Sequence, residues 1–224
     1  MSGTESSHVT LREAWEAAAT AWSDYIRAGR DPFFRVNLAA FVELLPPPRG
    51  VTLDIGCGEG RVGAELEARG HRVLGGAVAD PRGAGARAAR GRRGRRGAAA
   101  VRGRELPARR LVQLADGHDD AAGAVRAAAR VLEPGGRFCA AIVHPFLSAG
   151  SGEPHTIAGS YFEPVRQRAP LAYGDFELET THRPLSWYAD AIFGAGLLVE
   201  SLREVPGRNR PHLPISLHLR AVKP

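Results

Sequence analysis

The stretch VTLDIGCGEGRVGAELEARGHRVLG, residues 51–75, does most to restrict what this chain can fold into. VTLDI is a short apolar run, which predicts a buried strand. RVGAELEARG predicts a short helix stopped by Gly70, and HRVLG predicts a second strand. Strand, glycine turn, helix, strand is a βαβ unit, and its crossover requires a parallel sheet. The turn itself carries Gly56, Gly58 and Gly60. Glycines let the backbone turn tightly and approach a ligand closely. Asp54 at the strand end sharpens the reading. An anion there repels the pyrophosphate that such turns otherwise cradle, and suits an ammonium or sulfonium group instead. The third glycine also comes earlier than in the dinucleotide G-x-G-x-x-G spacing. A plain strand-to-helix corner is the simpler alternative for a lone glycine turn.

The flanking segments agree with an α/β protein. TLRE, Thr10 to Glu13, is a capping box, and Trp15, Ala19, Trp22 and Ile26 follow at helical spacing. Asp31 and Pro32 open a second predicted helix with a Phe34, Leu38, Phe41, Leu45 stripe, ended by Pro46–Pro48. Residues 119–136 predict a helix with Val125, Ala128, Ala129 and Leu132 on its inner face, followed by the buried strand RFCAAIVHP. Residues 146–182 read as a loop-rich insertion. RPLSWYADAIFGAG predicts a helix, and LLVESLREV and ISLHLRAV two late strands, the last with unlike faces.

The net charge of +6 suggests a nucleic-acid partner until its distribution is examined. Of 30 Lys and Arg and 24 Asp and Glu, residues 81–110 hold 11 Arg and one Glu, leaving 19 basic and 23 acidic residues elsewhere. No apolar run approaches the roughly 18 residues that a membrane span needs. The first residues lack the basic and apolar regions of a secretory signal. Cys57 and Cys139 stand far apart and read as free thiols of a reducing compartment, which predicts a cytoplasmic protein with no metal site.

LDIGCGEGR resembles motif I of class I S-adenosylmethionine-dependent methyltransferases, in particular small bacterial members. AARVLEPGGRFCAAIVHP resembles the helix, PGG turn and fifth strand of that family. HRPLSWYADAIFGAGLLVESLRE and PISLHLRAVKP resemble its last helix and final hairpin, and WSDY and LLPPP its N-terminal lid region. The resemblance covers roughly residues 10–77 and 118–224. It implies a Rossmann-like fold with a mostly parallel seven-stranded sheet whose last strand is antiparallel. It further implies a helical lid at 1–48, a catalytic domain at 49–224, and methyl transfer to a small-molecule acceptor. By position, it implies that Asp54, Gly56, Cys57, Gly58 and Gly60 line S-adenosylmethionine, Asp54 at the amino-acid end. His144, just past the fifth strand, is a candidate base, against a structural role bonded to backbone. Tyr161, Glu163 and His182 in the insertion are weaker candidates for capping the acceptor. The sequence identifies neither the acceptor nor an oligomeric state.

The resemblance breaks after the second strand. The family places there an acid for the ribose hydroxyls, where this chain has Ala77. Residues 81–110 then contain only Pro, Arg, Gly and Ala apart from Val101, Glu105 and Leu106. A nucleic-acid arm would explain the charge, but no Phe or Tyr is present to stack on bases. A solvated insertion fails because too few residues lie between 77 and 118 to supply the missing strands as well. The third reading is a gene read out of frame from about residue 76 to about 118, since these four residue types come mainly from codons with G or C in the first two positions. That reading predicts a degraded third-strand region, poor order over 81–110, and weak or absent cofactor binding. A pseudoenzyme and a nucleic-acid binder are the alternatives.

Overall fold

The computed structural model describes residues 10–31, 36–57, 60–76, 108–112, 119–152, 154–170 and 177–224. The βαβ unit forms where the sequence placed it: β1 (Val51–Ile55), α3 (Arg61–Ala68) and β2 (Arg72–Gly76), preceded by α1 (Leu11–Arg27) and α2 (Leu38–Leu44). β3 (Ala108–Val112), α4 (Ala121–Val131), β4 (Leu132–Val143) and α5 (Pro145–Ser148) follow. A hairpin of β5 (Val165–Pro170) and β6 (Glu177–His182) leads to α6 (Leu185–Gly194), β7 (Leu198–Pro206) and β8 (Pro214–Val222).

Six strands of the described residues form one sheet in the order β2-β1-β3-β4-β8-β7. β1 to β4 pair in parallel, and β8 runs antiparallel to both β4 and β7. The expected sheet has seven strands, so the described sheet is one short. The slot for the remaining one, in chain order between β2 and β3, falls in 77–107, outside the described residues. Of the segment 81–110, residues 108–110 belong to β3, which continues through Leu111 and Val112; the expectation of disorder for the rest lies outside the described residues.

Alternation of side chains divides the core into two layers. On one face, Leu53 and Ile55 of β1, Phe138, Ala140 and Ile142 of β4 and Leu217 and Leu219 of β8 pack against α4 and α6. On the other, Cys139 and Ala141 meet Phe41 and Leu44 of α2 and Val62 and Leu66 of α3. β8 was expected to have one polar face. It is buried on both, because α2 covers the second: Ser216 donates to the Ile142 carbonyl at 3.0 Å, and His218 packs edge-on to Phe41.

Several boundaries differ from the sequence reading, each for a local reason. α4 ends at Val131, and Leu132 opens a strand, since Pro134 disfavours helix before it. Helix α2 is described over Leu38–Leu44, and the predicted opening at Pro32 lies outside the described residues. Asp31 pairs with Arg61 at 2.9 Å. The insertion 146–182 is more ordered than a loop, holding most of α5 and the β5–β6 hairpin. α1 carries the full capping box, with Leu11, Tyr25 and Ile26 buried and Ala19 exposed.

Candidate functional site

β1 is buried along its whole length and delivers the chain to the glycine turn at the carboxyl end of the parallel strands. Gly56 (φ +73°) and Gly60 (φ +89°) occupy the left-handed region, where a side chain is disfavoured. The Gly60 amide donates to the Cys57 carbonyl at 2.8 Å, closing the turn, and Gly60 is the N-cap of α3. Gly58 lies outside the described residues. Gly75, opposite on β2, leaves room for Cys57: a Cβ there would stand 3.2 Å from its Sγ.

Asp54 is 1% exposed and lies on the α3 face of the sheet. Its Oδ2 would be 3.4 Å from a Cβ built on Gly63, so the carboxyl group lies beneath the first turn of the helix. The Gly63 amide is close enough to favour the anion slightly, but neither carboxylate oxygen has a hydrogen-bond partner among the described residues. Burial dominates and pushes the Asp54 carboxyl up to about 7. A buried carboxyl group without partners is costly, and a cationic ligand group is what would relieve it. Burial, and secondarily the Asp54 charge, also raises the Cys57 thiol, so it is not an activated nucleophile.

α1 bridges the connections that leave the carboxyl ends of three parallel strands. Its Leu11 amide donates to Asp119 beyond β3 at 2.9 Å, and Trp15 Nε1 donates to the Glu179 carbonyl of the β5–β6 hairpin at 3.1 Å. Arg61, first residue of α3, donates to the Ile26 carbonyl at 3.2 Å. The helix, the hairpin and the glycine turn thus lie at the edge of the sheet where open α/β proteins bind ligands.

No protein-family model matches the sequence, and neither does any curated protein. Solved structures do match in fold. An S-adenosylmethionine-dependent methyltransferase from Mesorhizobium loti is 22% identical with a TM-score of 0.58, over 82% of this chain and 96% of that one. The 1,6-didemethyltoxoflavin-N1-methyltransferase of Burkholderia thailandensis, solved with 1,6-didemethyltoxoflavin and S-adenosylhomocysteine, is 20% identical with a TM-score of 0.57, over 98% and 93%. A chain of the Haloferax volcanii complex of the Trm112 activator with a methyltransferase is 14% identical with a TM-score of 0.61, over 96% and 98%. This chain has the fold of class I S-adenosylmethionine-dependent methyltransferases.

In that fold the other candidate residues take the following places. His144 is buried, and both its ring nitrogens are engaged: Nδ1 accepts from the Phe146 amide at 3.1 Å, capping α5, and Nε2 lies 2.8 Å from Glu204 Oε1. The Tyr161 hydroxyl accepts from the Leu185 amide at 3.1 Å at the start of α6. Glu163 is exposed. His182 is buried between Ser148 Oγ, 2.7 Å from its Nδ1, and the Tyr161 carbonyl, 2.9 Å from its Nε2. Ser148 escapes sequence reasoning, since it lies in a polar segment with no periodicity or motif.

Among the described residues no cluster of His, Cys, Asp and Glu is arranged to hold a metal ion, and no helix is long and apolar enough to cross a membrane. A small apolar cavity of about 20 Å³, lined by Phe138, Ile142, Trp187 and Ile192 among others, lies between α4 and α6. It belongs to the face opposite Asp54 and has room for about one water.

Proposed function

We propose that this chain is built for methyl transfer from S-adenosylmethionine to a small-molecule acceptor, with the donor seated at Asp54, Gly56, Cys57, Gly58 and Gly60. The observation that carries the reading is Asp54, buried at the strand–glycine–helix corner with neither oxygen bonded among the described residues. The donor set fits the cofactor: a carboxylate for its ammonium group, and glycines whose missing side chains admit its methionyl and ribose parts. When bound, S-adenosylmethionine supplies an electrophilic methyl on a sulfonium, so the protein has little covalent work to do. Asp54 fixes the amino-acid end, the turn backbone fixes the reach, and α1 with the hairpin excludes water from the aligned reactants.

We infer further that activity is reduced in this chain. Ala77 stands where the resemblance places the ribose acid, and 81–110 lacks the apolar residues of a third strand and its helix. Each buried Val, Ile or Leu of such elements contributes roughly 1.5–3 kcal/mol. An out-of-frame gene segment accounts for both features. Translating codons 74 to 120 in all three frames tests it: a hydrophobic strand with an early Asp in another frame supports the reading, and none refutes it.

The functional test is transfer of radiolabelled methyl groups to small molecules with nucleic acid absent. The 11 Arg of 81–110 favour a second reading, nucleic-acid binding. It requires affinity that falls steeply with salt and is lost on deleting 90–104. S-adenosylmethionine binding without transfer to any acceptor marks a pseudoenzyme.

A further inference from the structure

Ser148 and His182 come from separate elements, the end of α5 and the end of β6, and meet at 2.7 Å. The Tyr161 carbonyl can only accept, so His182 Nε2 carries its hydrogen toward that oxygen at 2.9 Å. Nδ1 then keeps its lone pair for the Ser148 hydroxyl. The Pro145 carbonyl, 3.2 Å from the same Oγ, is the more distant acceptor. The serine is held in place by Gln167, whose amide donates to the Ser148 carbonyl at 2.8 Å, and His182 by its contact with the Tyr161 ring at 5.7 Å. Hydroxyl, imidazole and a third group that orients the imidazole make the arrangement that activates oxygen for proton transfer. Ser148 is half-buried and follows the carboxyl end of β4 by five residues, on the same edge as the glycine turn.

We propose that Ser148 and His182 form a proton relay for the methyl acceptor, whose nucleophilic atom therefore carries a dissociable O–H or N–H. The proposal rests on the methyl-transfer reading above. Ser148 Oγ takes the acceptor's proton as its own passes to His182 Nδ1, and the imidazolium is held by the Tyr161 carbonyl. The acceptor–methyl bond forms, the carbon–sulfur bond breaks, and its electron pair stays on sulfur. An acceptor already anionic, or one with no such proton, needs no relay.

The relay has a signature that needs neither acceptor nor turnover, since the same hydrogen bond makes Ser148 reactive toward a fluorophosphonate. Its Oγ–phosphorus bond forms, fluoride leaves, and His182 takes the proton. Mass spectrometry of the treated full chain is expected to find the adduct on Ser148, with the labelling rate falling about 100-fold in His182→Gln. A merely structural hydrogen bond leaves Ser148 no more reactive than other serines, and that result overturns the proposal. Should His182→Gln not fold, Ser148→Cys gives the second readout: iodoacetamide is expected to alkylate that position at pH 6 about tenfold faster than N-acetylcysteine amide. An equal or slower rate overturns the relay. S-adenosylhomocysteine binding, measured in parallel on the unmodified chain, separates the two claims. Binding without labelling removes the relay alone. Labelling without binding removes the methyl-transfer reading and with it the relay's task.

Discussion

Asp54→Asn is expected to stabilise the protein while removing its cofactor affinity. The Asp54 carboxyl titrates at about 7 in the fold against an ordinary value of 3.8, a difference of about 3 units. At about 1.4 kcal/mol per unit this amounts to about 4 kcal/mol of destabilisation when the group is ionised. The sign follows from the raised value. Below pH 3.8 the acid is protonated folded or unfolded and costs nothing. As pH rises the unfolded chain releases the proton first, and stability is lost until the folded group ionises near pH 7. Asparagine carries no charge, but its buried amide lacks partners and costs about 1–3 kcal/mol. The net gain above pH 7 is then about 2 kcal/mol, or a Tm increase of about 4–8 °C for a chain of this size. Thermal melts at pH 4 and pH 8 are the assay. The variant should exceed the wild type at pH 8 and show no advantage at pH 4. A variant less stable at pH 8, or a gain independent of pH, refutes the reasoning. A binding site that is destabilising when empty is the usual sign of a group kept for its ligand.

His218 acts in the opposite direction. Burial, then the charge of Arg203, lowers it from 6.5 to about 4, so its share of stability is present above pH 6.5 and lost as pH falls toward 4. His218→Gln in an Asp54→Asn background should flatten that acid limb, read from urea midpoints at pH 7 and pH 5. Gly75→Ala puts a Cβ 3.2 Å from Cys57 Sγ and 3.3 Å from its Cβ, which displaces the turn. S-adenosylhomocysteine affinity should fall about tenfold, or about 1.4 kcal/mol, by calorimetry. Phe138, 1% exposed at the centre of the larger core, should cost about 3–5 kcal/mol as Phe138→Ala in urea unfolding.

The elements legible in the sequence are those whose order comes from burial on a fixed period. β1 and α3 bury apolar side chains at strand and helix spacing and β2 packs the half-buried Val73 and Leu74 against them, and the glycine turn between them is set by backbone conformations that only glycine takes readily. The β5–β6 hairpin was not legible because its strands, VRQRAP and ELETTH, are held by charge rather than by an apolar stripe. Arg166 and Arg168 both clasp Glu179, and Arg166 in particular holds its carboxyl below the usual range. Asp31 satisfies the local rule for a helix cap, and Arg61, 30 residues away, also pairs with it. Local rules do not register such tertiary contacts. His144 was placed correctly at the end of the strand, but its Glu204 partner lies 60 residues on, beyond what spacing reveals. The Ser148–His182 pair is hidden for the same reason, being made by a fold across 34 residues of polar chain.

The central claim is that Asp54 and the glycine turn form a seat for a cationic methyl donor. Calorimetric titration of S-adenosylmethionine into wild-type protein and Asp54→Asn at pH 8 tests it most directly. Saturable binding weaker than micromolar in the wild type, and at least about tenfold weaker still in the variant, is the predicted result. Equal affinity in the two proteins, or no saturable binding by the wild type, contradicts it.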